Sequence, residues 1–141
     1  MNISQGIVLD HLPPWGGPVL LDLLELKGHR AGLLLGQSSH RLGKKDILIV
    51  AEYELSELAE QKLAILAPDS TLNFVEQGKV VRKKRPQLPK LLKELVLCVN
   101  PQCITRVEEV PPKIRSGEPR TGEFQCYYCQ HNFSGQEVQF V

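Results

Sequence analysis

Hydrophobic and polar positions in the first part of the chain alternate with two periods in turn. "ISQGIVLDHL" (3–12) reads as a strand, and Pro13 and Pro14 end it, because proline lacks a backbone donor and restricts the residue before it. After Gly16, Gly17 and Pro18, Val19, Leu20, Leu23, Leu24 and Lys27 recur at helical spacing, with Pro18 suited to the first helical position. "RAGLLLGQS" (30–38) and "KDILIVAEY" (45–53) are short apolar runs separated by polar residues and Gly43, as in two buried strands. "SELAEQKLAILAP" (56–68) predicts a helix with Ser56 as its N-cap, Leu58, Ala59, Leu63 and Leu66 on one face, and Pro68 as its stop. "STLNFVEQGKVV" (70–81) predicts strand, turn at Gly78, strand. The order β-α-β-β-α-β with one extra strand is that of an α+β, ferredoxin-like (split βαβ) domain.

The pattern then breaks. "RKKRPQLPKLLK" (82–93) is basic, contains two prolines and shows no strand-like alternation, so a linker is expected at about residues 84–94. This divides the chain into 1–90 and 91–141, the second part containing every cysteine.

Composition narrows the class. At 141 residues, 42% hydrophobic and 23% charged, the chain has the profile of a folded protein rather than a disordered one, and its net charge of +1 attracts no partner in bulk. No apolar run approaches the roughly 18 residues that span a bilayer, and "MNISQGIVLD" lacks the organisation of a secretory signal. The expectation is a cytoplasmic protein without membrane contact, in which close cysteines serve as metal ligands or redox groups more readily than as disulfides.

The four cysteines follow the pattern Cys98-x4-Cys103-x22-Cys126-x2-Cys129. Two such pairs, brought together by a short antiparallel sheet, offer zinc its four thiolates at about 2.3 Å; two disulfides are the competing arrangement. Four sulfurs fill the coordination sphere, so the zinc expected here is structural, one ion per chain, with His131 left as a surface residue. A domain this small lies near the size at which a hydrophobic core alone is insufficient.

Catalytic signatures are missing: the sequence has no GxGxxG, GxxxxGK[ST], GxSxG or HExxH. Asp10 and His11 are neighbours in a strand, where adjacent side chains point to opposite faces, so they do not form an acid–imidazole pair without a bend at Pro13. The run Arg82, Lys83, Lys84 and Arg85 has three readings: a solvated linker, a phosphate-binding patch beside a zinc ribbon, or one or two cations projected into a polyphosphate site. Phe124, Tyr127, Tyr128 and Phe133 could stack bases or form the small domain's core. Carboxylates at Glu108, Glu109, Glu118, Glu123 and Glu137 count against the alternative of a zinc-ribbon nucleic-acid-binding protein, which needs a clustered positive face.

Six segments taken in order, "GIVLDHLP" (6–13), "GKKDIL" (43–48), "LAPDSTLNFV" (66–75), "KKRPQLP" (83–89), "VLCVNPQCIT" (96–105) and "CYYCQHNFS" (126–134), closely resemble the regulatory chains of aspartate carbamoyltransferase. The resemblance runs from about residue 3 to residue 135. It implies a non-catalytic allosteric subunit of an enzyme of pyrimidine biosynthesis, with a ferredoxin-like domain that binds nucleoside triphosphates such as ATP, CTP and UTP and pairs regulatory chains. It further implies a zinc domain that docks on the catalytic chain. The effector site it implies comprises Ile3, Val8, Asp10, His11, Lys45, Asn73, Val75, Val80 and Lys83, with Lys83 and His11 toward phosphates and Asp10 toward ribose. Backbone groups near Ile3 and Gly78 would read the base edge, and Met1 would lie close by. Ile49 stands where the resemblance places a lysine, and Gly78 where an aromatic residue is common. Asn100 and Gln102, held out between Cys98 and Cys103, occupy positions that meet the catalytic chain in that family.

Overall fold

The computed structural model describes residues 3–26, 28–40, 43–117 and 121–141, in two compact units, Met1–Pro86 and Gln87–Val141. Met1, Lys27 and Glu118, which carry expectations stated above, lie outside the described residues.

The first unit contains β1 (Gly6–Leu12), α1 (Gly16–Leu23), β2 (Ala31–Ser39), β3 (Gly43–Ala51), α2 (Glu57–Leu66), β4 (Thr71–Glu76) and β5 (Lys79–Lys84). Its strands form an antiparallel sheet in the order β2-β3-β1-β4-β5, the split βαβ arrangement with β5 added at one edge. Strand alternation gives the sheet two faces. Ile7, Leu9, Leu48, Val50 and Leu72 point to one and pack with Leu20 and Leu24 of the α1 region and Ala59 and Leu63 of α2, all buried. The other face is built from Val8, Ile47, Ile49, Ala51 and Val75 with Ile3, and among the described residues no helical one contributes to its apolar cluster. Burial of the first set, at about 1.5–3 kcal/mol for each large side chain, gives this unit a core of its own.

Ser56 caps α2 as expected, its hydroxyl accepting from the Ala59 N–H at 3.0 Å. Leu58 instead is 48% exposed, because the buried stripe centres on Ala59, Leu63 and Ala64, a position displaced by one residue around the helix. Helix α1 starts at Gly16, ahead of Pro18, and has no side-chain cap of its own. A distant residue supplies one: fully buried Asp46 on β3 accepts from the Gly17 N–H at 3.1 Å and from the Gly36 N–H of β2 at 3.0 Å. Gly17 permits this close approach, since a Cβ there would lie 2.3 Å from Leu33.

The second unit contains β6 (Leu91–Lys93), α3 (Ile104–Val107), β7 (Lys113–Ser116), β8 (Glu123–Cys126) and β9 (Asn132–Ser134), its sheet running β6-β7-β8-β9 with antiparallel pairing. Strand β6 falls in the stretch expected to be linker, and Leu92 within it is fully buried; a strand of three residues just after two prolines is too short to show alternation. Leu92, Leu95, Val96, Ile114, Phe124 and Phe133 are its buried apolar side chains, with Phe124 and Phe133 stacked at 5.7 Å.

Candidate metal centre and open sheet face

The cysteines arrive from two hairpin-like turns. Cys98 and Cys103 flank the loop 99–102, closed by Cys103 N–H donating to the Asn100 carbonyl at 3.1 Å. Cys126 ends β8 and Cys129 sits in the turn before β9, with the Cys126 N–H donating to the His131 carbonyl at 3.0 Å. All four sulfurs lie within 4.8 Å of one another. The Cys98–Cys129 and Cys103–Cys126 separations are 3.6 and 3.7 Å. A tetrahedron with zinc–sulfur arms of about 2.3 Å has edges of about 3.8 Å, so the cage fits one zinc ion, whereas a disulfide requires sulfurs about 2.0 Å apart.

Protons oppose the cluster when no dication neutralises it. Burial pushes the Cys98 and Cys126 thiols up. Burial acts the same way at Cys129, but the His131 backbone N–H and then the Asn100 side chain offset it and bring that thiol down to about 7. The surrounding donors are those of a thiolate cage: Asn100 N–H points at Cys98 Sγ at 3.4 Å and the Thr105 hydroxyl at Cys103 Sγ at 3.1 Å. Arg106 braces the loop by donating to the Cys98 carbonyl at 2.7 Å. Asn100 is turned toward the knuckle, its Oδ1 accepting from the Gln102 N–H at 3.1 Å, so of the two polar loop residues Gln102 is the exposed one.

On the first unit, the helix-free face brings together most of the residues singled out in the sequence. Val8 lies between Ile49 and Asn73, Lys83 is opposite Asn73, and Val80 is opposite Val75. Asp10 is opposite Thr71, and Lys45 reaches it with an Nζ–carboxylate distance of 2.9 Å. Burial tends to raise the Asp10 carboxyl, but the Lys45 ammonium and the His11 N–H outweigh it and hold the acid below its usual value. Ile3 packs against Ile49, Ala51 and Val75.

His11 departs from the alternation. The register of β1 against β3 shifts between Leu9 and Leu12, and His11 takes the left-handed conformation with φ 57°, so the bend lies at the histidine rather than at Pro13. Its N–H donates to Asp10 Oδ1 at 2.6 Å and its Nδ1 sits 3.1 Å from Thr71 Oγ1. The ring also borders a cavity of about 180 Å³ lined by Pro13, Pro14, Leu66 and Pro68. The bulge therefore keeps Asp10 and His11 at one end of the face although they are consecutive in a strand.

The basic run does not form a patch. Arg82 lies 5.7 Å from the Phe74 ring and Lys84 pairs with Glu60 of α2 at 2.9 Å, both on the helix side, while Lys83 sits on the open face. Sequence reading missed Thr71 and Asp46. Thr71 faces Asp10 only through the pairing of two strands far apart in the chain, which no local signal reveals, whereas Asp46 could have been found as a lone acid inside the apolar run "KDILIV".

An antiparallel sheet with a polar-ended open face, carried on the same chain as a closed four-thiol zinc cage, defines a two-domain binding protein whose metal has no vacant position for a substrate. Family models match both halves: residues 1–87 match the allosteric domain, and residues 90–139 the metal binding domain, of the aspartate carbamoyltransferase regulatory chain. Curated relatives of that name include those of Pyrococcus furiosus, 37% identical over 96% of this chain and 92% of the relative, and Thermococcus sibiricus, 34% identical over 96% and 91%. That of Sulfolobus acidocaldarius is 31% identical over 97% and 86%. The chain belongs to the aspartate carbamoyltransferase regulatory chain family. It is a non-catalytic allosteric subunit, and its partner is the catalytic subunit of that enzyme. Among the described residues no helix is long and apolar enough to cross a membrane.

Proposed function

We propose that residues 1–90 bind nucleoside triphosphates such as ATP, CTP and UTP on the open sheet face and pair with a second regulatory chain. In this reading residues 91–141 hold one zinc ion through Cys98, Cys103, Cys126 and Cys129 and dock on the catalytic chain, linking catalytic subunits in the cytoplasm. The effector contacts are Ile3, Val8, Asp10, His11, Lys45, Asn73, Val75, Val80 and Lys83. The observation that carries the reading is the register: Asp10, Lys45, Asn73 and Lys83 share one helix-free face, with Asp10 and Lys45 at one end, Ala51, Val75 and Val80 at the other, and Asn73 and Lys83 in a middle row with Val8 and Ile49. That is the polarity of a nucleotide, phosphates toward cations and base toward apolar surface.

The zinc has no substrate to activate; its chemistry is to fix the loop carrying Gln102 and thereby the docking surface. Effector binding regulates only by the difference in affinity between two states of the assembly, typically 1–3 kcal/mol.

Calorimetry of the zinc-loaded full chain with ATP tests the reading. Lys83→Ala removes a charge-assisted contact worth about 1.5–3 kcal/mol and is expected to weaken binding by roughly tenfold to a hundredfold. Unchanged affinity in that variant would overturn the placement.

A further inference from the structure

The sheet of the second unit has two unlike sides. Strand alternation turns Leu92, Ile114, Phe124, Cys126 and Phe133 to one side, all of them buried, and Lys93, Lys113, Arg115 and Gln125 to the other. On this outer side the register sets Lys93 directly opposite Lys113, with Arg115 one row further along, opposite Leu91. Like charges that face each other across paired strands oppose the pairing. Among the described residues no carboxylate lies within ion-pair distance of Lys93, Lys113 or Arg115, although Glu123 is on the same side of β8.

Aromatic rings hold two of these cations in place. The Tyr127 N–H donates to the Lys113 carbonyl at 2.9 Å, extending the pairing of β7 and β8 past Cys126. The Tyr127 ring lies 4.9 Å from the Arg115 guanidinium and 5.6 Å from Lys113 Nζ, and the Tyr128 ring 5.9 Å from the same Nζ. Both rings are exposed, and they meet edge to face at 5.3 Å. A ring attracts a cation without cancelling its charge. Both tyrosines stand between the cage residues Cys126 and Cys129, so the frame that holds the metal also holds the rings.

The charge is gathered rather than in excess. Residues 87–141 contain six Lys and Arg against six Asp and Glu, whereas a nucleic-acid surface calls for a net positive domain. Arginine and tyrosine are side chains that anchor protein interfaces. An acidic protein segment laid on this side would neutralise the cations and remove the repulsion between Lys93 and Lys113. Resting on the docking of residues 91–141 on the catalytic chain, we propose that this outer side is a second docking surface, which receives an acidic segment of that chain. Lys93, Lys113 and Arg115 meet its carboxylates, and Tyr127 and Tyr128 form the rigid surround. The contact belongs to the Cys126–Cys129 turn, not to the loop carrying Gln102.

The test compares the zinc-loaded full chain with a triple variant, Lys93→Gln, Lys113→Gln and Arg115→Gln, in assembly with the catalytic subunit. At low salt the variant is expected to bind on the order of tenfold more weakly, since three exposed ion pairs are lost. The difference is expected to vanish near 1 M salt, where the screening length is about 3 Å. Lys93→Gln alone removes the repulsion and leaves both ring contacts, so it is expected to raise the urea midpoint of the second unit while weakening assembly at low salt. This pair of opposite effects separates a docking role from a structural one, and it carries the test if the triple variant fails to hold zinc. Assembly of Lys93→Gln and the triple variant as tight as that of the parent overturns the inference and leaves docking through the other loop standing. A parent chain that does not assemble overturns the docking reading, and this inference with it. Salt-sensitive retention of the parent on immobilised DNA, lost in the variants, would overturn it in favour of a nucleic-acid partner.

Discussion

The two units hold themselves together by different means. In Met1–Pro86 a sheet of long strands is covered on one side by two helices, and large aliphatic side chains from three strands and two helices meet in one buried layer. In Gln87–Val141 the strands are three or four residues long, few large side chains are fully buried, and three of the four cysteines are themselves among the buried residues. One domain is built around a hydrophobic layer, the other around four sulfurs. The sheet domain therefore tolerates an open, partly polar face, whereas the small domain is expected to need a bound ion for its folded geometry.

Metal removal has the largest expected effect. A structural zinc contributes about 10–16 kcal/mol of apparent binding energy to folding, so a strong chelator is expected to unfold residues 95–141 while the sheet domain persists. Hydrogen exchange resolved by segment checks this; continued protection of Leu95, Ile114 and Phe124 after zinc release would remove the distinction between the units.

The converse perturbation is Asp46→Ala. It leaves the Gly17 and Gly36 N–H groups without their buried acceptor, at about 1–3 kcal/mol each, so a loss of roughly 2–6 kcal/mol is expected in urea unfolding of the sheet domain, with zinc affinity unaltered. A variant as stable as the parent would show that α1 does not need its long-range cap.

The smallest effect is acid sensitivity confined to one end of the open face. Asp10 has a carboxyl held below its ordinary 3.8, so in the folded state it binds its proton less readily than in the unfolded chain. Its contribution is complete above the unfolded value and disappears as pH falls through the lower folded value. Asp10→Asn is expected to lower the stability of the sheet domain near neutrality, where the ionised carboxylate contributes in full, and to flatten the profile below about pH 4. An identical acid limb in parent and variant would show that the Lys45 pair contributes nothing.

These contrasts explain what could be read in advance. The strands and α2 were legible because their signals are local: Ser56 and Pro68 punctuate α2, and the apolar alternation of β1 and β4 fixes which side chains face inward. The sulfur cage was legible because spacing alone brings four like ligands together. The start of α1 was not, since its cap is Asp46, nearly thirty residues later in the chain. Nor was the position of His11, because a bulge is a disagreement in length between two paired strands and neither strand reveals it alone. Strand β6 is too short to carry a period.

The way β5 divides "RKK" between two faces has an evolutionary corollary. The β4–β5 hairpin turns at Gln77 and Gly78, both at positive φ, where insertions are easily accepted. One residue added there, carried through as a slip of β5 against β4, would exchange the two sides at a stroke, sending Lys83 toward α2 and presenting Arg82 and Lys84 on the open surface. A single codon could thus convert a lone cation into a pair, altering the charge that greets an anionic ligand without replacing any amino acid.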